Sequence, residues 1–249
     1  MHIFDNDFKT ELRDVDAVIM DNLVSWWPEI NKYINQSHNH IWHSLPVVVF
    51  SIYRYLGVDK RVTLLMASVF KMVHMGNAIH AYVKDDEEGQ LYNRDLQFSI
   101  LLGDYLFGKI LNLLLEAQAH KHLDTLTRTI CEVNEGMIMR YKTNEDNHKI
   151  IEKTSGSLYA AAFETAAKMA GVDPEQIGLY IQLGYHIGMS LEMINNESYK
   201  DNAYLHVHKC QDIFNTINEE KNILNSSLER GINELHSLIC PCPMQAAVI

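Results

Sequence analysis

Three places in this chain gather side chains capable of metal or proton chemistry. Asp85, Asp86, Glu87 and Glu88 form a run of carboxylates, the hard oxygen donors that suit magnesium. His38, His40 and His43 lie close together, and His206, His208 and Cys210 alternate along a second stretch, with Cys240 and Cys242 near the end. Imidazole and thiolate are zinc ligands, yet a structural zinc site needs four donors converging on one point. The first histidine cluster has no assigned fourth ligand, and a two-residue spacing on a helix points successive groups apart. The acidic run, beside Gly89 and without hydrophobic periodicity, reads as a solvated connection rather than a working metal site.

The scaffold that must position these groups is expected to be helical. The chain has 249 residues, 47% of them hydrophobic, with only 5 prolines and 12 glycines. One domain spanning residues 1–249 is expected, with a mobile tail over 240–249. A net charge of -11 without clustered Lys and Arg argues against a nucleic-acid partner and against electrostatic docking on an anionic membrane. Met1 to Asp7 lacks the basic start and apolar stretch of a secretory signal, so a cytoplasmic location is expected. Arg54, Lys71 and Asp104 divide the candidate membrane spans, so no transmembrane segment is expected. The four cysteines, Cys131, Cys210, Cys240 and Cys242, read as reduced thiols in a chain that can build its own core.

Periodicity places helices over Leu12 to Tyr33 with a break at Pro28, from Pro46 to Gly57, and from Arg61 to Val83. The last is apolar around most of its circumference and is the candidate central helix. Further helices follow over Asp95 to Ala117, His122 to Tyr141 and Asn144 to Ala170. Gly171, Asp173 and Pro174 then stop one helix and start the next, which continues through Ile194. A final helical stretch from His206 to Ile239 is expected to break near Asn225 or Gly231. Leu101 to Leu115 reads as a buried helix.

Two segments carry a family likeness. Leu101-Leu102-Gly103-Asp104-Tyr105-Leu106-Phe107 and the run from Lys153-Thr154-Ser155 through Tyr159-Ala160-Ala161-Ala162 to Gly171 resemble the trans-isoprenyl diphosphate synthase family. The likeness covers roughly Trp42 to Asn196. It implies an all-α bundle around a central cavity, in which magnesium held by two aspartate-rich motifs ionises an allylic diphosphate. Lys153 and Thr154 match the family's Lys-Thr pair, whose lysine approaches that diphosphate. Gly103 and Asp104 match a pair on a helix that contributes to subunit packing.

The same alignment exposes departures. The first acidic motif falls on Ala81-Tyr82-Val83-Lys84-Asp85, leaving Asp85 in place, Asp86 adjacent and Lys84 opposing them. The second falls on Asn195-Asn196-Glu197-Ser198-Tyr199, where amides and a phenol replace carboxylates. Trp42, His43 and Leu45 stand where the family's Gly-Lys-Arg-x-Arg-Pro clamp would grip a diphosphate, and only Arg94 remains near its downstream arginine pair. Gly76 and Asn77, with Ala81 and Tyr82, occupy cavity positions that set chain length in the family. His74 and His80 read as core residues of the same helix.

These departures imply a catalytically impaired partner or regulatory subunit of a heteromeric trans-polyprenyl diphosphate synthase. Its partner would be a subunit with intact aspartate-rich motifs and its own magnesium, and this chain would hold no cofactor of its own. Two alternatives remain from the sequence. One is an autonomous prenyltransferase that recruits Asp85, Asp86, Glu87, Glu88, Glu192 and Glu197 to an altered site. The other is an isoprenoid-binding homodimer without transferase activity.

Overall fold

The computed structural model describes residues 8–23, 40–80, 94–142, 146–194, 197–221 and 223–239, and all regular structure among them is helical. Helix α1 spans Lys9–Asn22, α2 His40–Tyr55 and α3 Lys60–His80. Gly57, at φ +74°, turns the chain between α2 and α3, and the Asp59 carboxylate then caps α3 by accepting from the backbone N–H of Arg61 and Val62. Helix α2 begins at His40 and runs through Pro46, rather than starting after it. Proline costs that helix one donor, but Trp42, Leu45 and Val47 to Phe50 are all buried, and their packing outweighs the local preference.

Helix α4 spans Arg94–Glu116 and, after a short 3₁₀ turn, α5 spans Leu123–Lys142. The next helical stretch contains a defect. Helix α6, Asn147–Ile151, passes into a π-helical turn at Glu152–Gly156 and then into α7, Ser157–Met169. Helix α8, Pro174–Met193, starts as the sequence implies, with the Asp173 side chain accepting from the Glu175 N–H and Pro174 in the first turn. A 3₁₀ turn, Glu197–Tyr199, leads to α9, Lys200–Lys221. Asn225, at φ +55°, breaks the chain before α10, Ser227–Ile239, so Gly231 lies inside a helix and not at the break.

One apolar core draws on elements from α1 to α10. Helix α3 lies at its centre: every residue over 65–77 is buried, including Lys71. The Lys71 ammonium reaches Asp16 on α1 at 2.7 Å and lies 4.1 Å from the Trp42 ring centroid, so its charge is paired and covered. Burial still pulls its pKa down, with Asp16 opposing the shift. Two helical stretches, Lys60–His80 and Gln97–Glu116, are long and apolar enough to cross a membrane by length and composition. In the bundle the first has 78% of its apolar window buried and the second 39%.

Helix α8 also approaches the backbone of the π turn and of α7 closely. A Cβ on Gly184 would come within 2.6 Å of the Tyr159 carbonyl oxygen, and one on Gly188 within 2.7 Å of the Ser155 carbonyl oxygen. Backbone is the nearest obstacle at both positions, with the Phe163 ring at 2.8 Å from the first Cβ and the Tyr159 ring at 2.9 Å from the second. Gly184→Ala is therefore expected to lower the unfolding free energy by about 1–3 kcal/mol in chemical denaturation, despite the better helix propensity of alanine. Gly178→Ala on the same helix, where nothing lies within 4 Å, is expected to leave stability unchanged or raise it by up to ~1 kcal/mol.

Candidate functional site

The α7–α8 contact assembles the end of the bundle where the family likeness places its chemistry. Lys153 and Thr154 both lie on the π turn, whose wider winding re-aims side chains relative to a regular helix. The turn is stitched locally: Thr154 Oγ1 donates to the Ile150 carbonyl at 2.8 Å, and Ser157 Oγ donates to the Lys153 carbonyl. Across the gap, Ser155 Oγ donates to the Glu192 carboxylate on α8 at 3.2 Å. Tyr159 is fully buried with its hydroxyl 2.7 Å from Ser44 Oγ on α2, and burial pushes its phenol pKa up.

Lys153 turns toward α5. Its ammonium lies 2.9 Å from Glu135, whose hydrogen bond holds the lysine pKa above its ordinary value, with Glu132 and Glu152 adding to the effect. The α5–α7 side is braced further by Glu164, which accepts from Thr125 at 3.0 Å, Arg128 at 2.7 Å and Lys168 at 2.7 Å. Burial raises the Glu164 pKa, but Lys168, Arg128 and Thr125 together outweigh burial and hold it below the usual carboxylate range.

Of the three positions that the resemblance aligns with the diphosphate clamp, two are packed into the core. Trp42 is 5% exposed and Leu45 0%, while His43 is exposed. Tyr199, at the third position of the second acidic motif, packs against a small apolar cluster of Ile151, Met189, Met193 and Ala203. Asp85, Asp86, Ala81, Tyr82, Asn195 and Asn196 lie outside the described residues, as do His38, Cys240 and Cys242.

Where α3 meets α4, Gly76 faces Phe107, whose ring edge would lie 3.6 Å from an added Cβ. The Asn77 side chain is buried with neither amide atom hydrogen-bonded. His80 lies over Gly103, where a Cβ would fall 1.7 Å from its Nε2, and that nitrogen is 3.9 Å from Asp104. The Gly103-Asp104 pair thus serves a close helix crossing. His206, His208 and Cys210 diverge: His206 meets His186 on α8, His208 meets His236 on α10, and Cys210 is buried. Among the described residues no group of three or more His, Cys, Asp or Glu is placed to hold a metal ion.

Sequence reasoning passed over the π turn, the Lys153–Glu135 pair and the His186–His206 contact. A run of Thr, Ser and Gly at 154–156 was the local signal for the first, since short hydroxyl side chains and glycine compete with regular helix winding. The other two join residues on different helices and left no local signature. Leu101 to Leu115 was expected to be buried, but Leu101 and Leu115 are each 63% exposed, with Ile100, Tyr105 and Leu111 beside them. The inner residues Leu102, Leu106, Ile110, Leu113 and Leu114 suffice to hold α4 to the core, and the outer leucines stay exposed among the described residues.

The chain belongs to the polyprenyl synthetase family: residues 43–195, more than half of its length, match that family's model. It is 24% identical over 167 residues to the heptaprenyl diphosphate synthase component 2 of Geobacillus stearothermophilus, covering 61% of this chain and 51% of that one. Among solved structures, a Caulobacter crescentus polyprenyl synthase complexed with calcium and isoprenyl diphosphate superposes with a TM-score of 0.70 at 18% identity, covering 93% of this chain and 95% of that one. The geranyl diphosphate synthase small subunit of Antirrhinum majus superposes with a TM-score of 0.68 at 14% identity, covering 92% and 99%. These structural likenesses establish the all-α isoprenoid-synthase fold. The chain spans between 32% and 65% of the length of the curated relatives it matches.

Two substitutions separate bracing from surface pairing. Glu164→Gln is expected to cost about 1–3 kcal/mol, because three donors lose a charged acceptor in a mostly buried place. Lys153→Ala, which breaks a partly exposed pair, is expected to cost less than about 1 kcal/mol. The Glu164 carboxyl has its pKa lowered by folding, so its contribution is present above the ordinary value of 4.5 and fades as pH falls through the folded value. In Glu164→Gln that part of the acid loss of stability is expected to disappear from the urea midpoint measured against pH.

Proposed function

We propose that this chain is the catalytically impaired partner or regulatory subunit of a heteromeric trans-polyprenyl diphosphate synthase. The observation that carries the reading is the disposition of Trp42, Leu45, Lys153 and Tyr199. Two are in the core, one is paired to a carboxylate on α5, and one closes an apolar cluster. Trp42, Leu45 and Tyr199 offer no charge to a diphosphate or to magnesium, and the Lys153 ammonium is drawn to Glu135, which supports placing the chemistry in a second subunit whose acidic motifs are intact.

The outer face of α4 gives such a subunit a place to bind. Leu101 with Tyr105 and Leu111 with Leu115 are two i,i+4 pairs that together spread over about a third of the circumference of α4, along more than three turns. A stripe of that length suits the apolar face of a partner helix. Two of the similar proteins are named as parts of a synthase, a component 2 and a small subunit, which supports the same division of labour. This chain would supply an opposing helical wall, and the partner would carry the magnesium.

Mixing decides between this reading and its alternatives. The purified chain with isopentenyl and allylic diphosphates and magnesium is expected to show no elongation. A synthase subunit with intact aspartate-rich motifs from the same source is expected to co-purify with it and to change its rate or product length on binding. Leu101→Glu and Leu115→Glu together are expected to weaken that association at least tenfold while leaving the fold intact by circular dichroism. Elongation by the chain alone would support an autonomous transferase. A homodimer with bound lipid and no heteromeric partner would support the isoprenoid-binding reading.

A further inference from the structure

The α8–α9 hairpin holds two buried imidazoles in direct contact. His186 is 8% exposed and His206 6%, and their Nδ1 atoms lie 2.7 Å apart. The rings are 5.0 Å apart at their centroids and tilted by 47°. At that separation one Nδ1 must carry a proton and the other a lone pair. Two neutral rings satisfy this with opposite tautomers, and a pair carrying one extra proton satisfies it too. Two imidazolium rings do not, since both facing nitrogens are then donors and two like charges share a buried site.

The surroundings oppose the charged state. Lys209 on α9 acts on both rings, and His148 on α6 lies with its ring 6.0 Å from that of His206. Tyr185 on α8 stands with its ring centroid 5.1 Å from His186 and 5.9 Å from His206, and Glu152 of the π turn acts on that phenol. Burial first, then Lys209, pushes His186 down to about 4; burial first, then His186, His148 and Lys209, pushes His206 down to about 4.

Position gives the contact its consequence. His186 lies two turns before α8 ends at Met193, and His206 lies two turns after α9 begins at Lys200. Between them run Asn195, Asn196 and the turn Glu197–Tyr199, the positions of the second acidic motif. We propose that the His186–His206 contact is a proton-operated clasp, closing α9 onto α8 while the facing edges share one proton and releasing the hairpin tip when both rings are charged. The proposal does not depend on whether the chain pairs with a synthase. Both rings bind protons less readily when folded, so the clasp contributes fully above the ordinary histidine value of 6.5 and is lost as pH falls from there toward about 4.

The test is hydrogen exchange of the full chain, corrected for intrinsic rates, together with imidazole nitrogen NMR. Between about pH 7 and about pH 5, protection of amides over 197–208 is expected to fall about tenfold or more, while amides over 65–77 hold theirs. In His206→Gln, whose amide hydrogen-bonds but does not titrate, the step is expected to shrink at least about threefold, leaving the part that His186 contributes. The nitrogen spectra of the wild type, which need no variant, are expected to show one protonated and one bare Nδ1 at neutral pH. Independent titration of both rings near 6.5, flat protection over 197–208, or an undiminished step in His206→Gln would overturn the clasp. So would a zinc-dependent rise in melting temperature that His206→Gln abolishes, since it would make the two rings metal ligands.

Discussion

The arrangement rests on how closely the backbone of α8 approaches the π turn and the start of α7. Gly184 and Gly188 let that approach reach the carbonyl oxygens of Tyr159 and Ser155, distances that any Cβ would forbid. With α8 so placed, Glu192 meets Ser155, and α9 follows close enough for two imidazoles to touch. The π turn is the complementary adjustment on the other side, where hydroxyl groups bond back to carbonyls at 150 and 153 and the lysine beside them turns to α5. Helix propensity alone would favour alanine at both glycines, so close packing is what these residues serve.

Elsewhere the chain substitutes packing for charge. Trp42 and Leu45 bury apolar surface beside Lys71 and the core of α2, and each such burial stabilises by roughly 1.5–3 kcal/mol. Tyr199 joins an apolar cluster where a carboxylate would have to remain solvated or metal-bound. Charged groups at these points would cost stability when dry, so in the proposed reading the bundle keeps its helix contacts while a partner supplies the charge. The outer face of α4, whose Leu101, Leu111 and Leu115 are exposed among the described residues, is the complementary feature on which the proposed partner would pack.

Much of this was legible in the sequence, and the limits have physical causes. The continuous apolar run of α3 and the Gly-Val-Asp-Pro start of α8 act through periodicity and capping, both local, and both elements fall where those signals place them. The positive-φ break at Asn225 was legible for the same reason. Pro46 misled, because a local helix breaker yielded to the burial of its neighbours. Leu101 and Leu115 misled in the opposite sense: apolar composition says that a helix face wants cover, not whether its own chain supplies it. Glu135 with Lys153, and His186 with His206, join separate helices whose relative rotation no single segment specifies.

The most direct measurement is calorimetric titration of the isolated chain with pyrophosphate, in the presence and absence of magnesium. If Trp42, Leu45, Lys153 and Tyr199 leave no charged cradle, no magnesium-dependent heat is expected at pyrophosphate concentrations up to about 1 mM, weaker than about 4 kcal/mol of binding. Saturable binding in the micromolar range that requires magnesium would contradict that reading, because it would show a working cradle assembled from other groups.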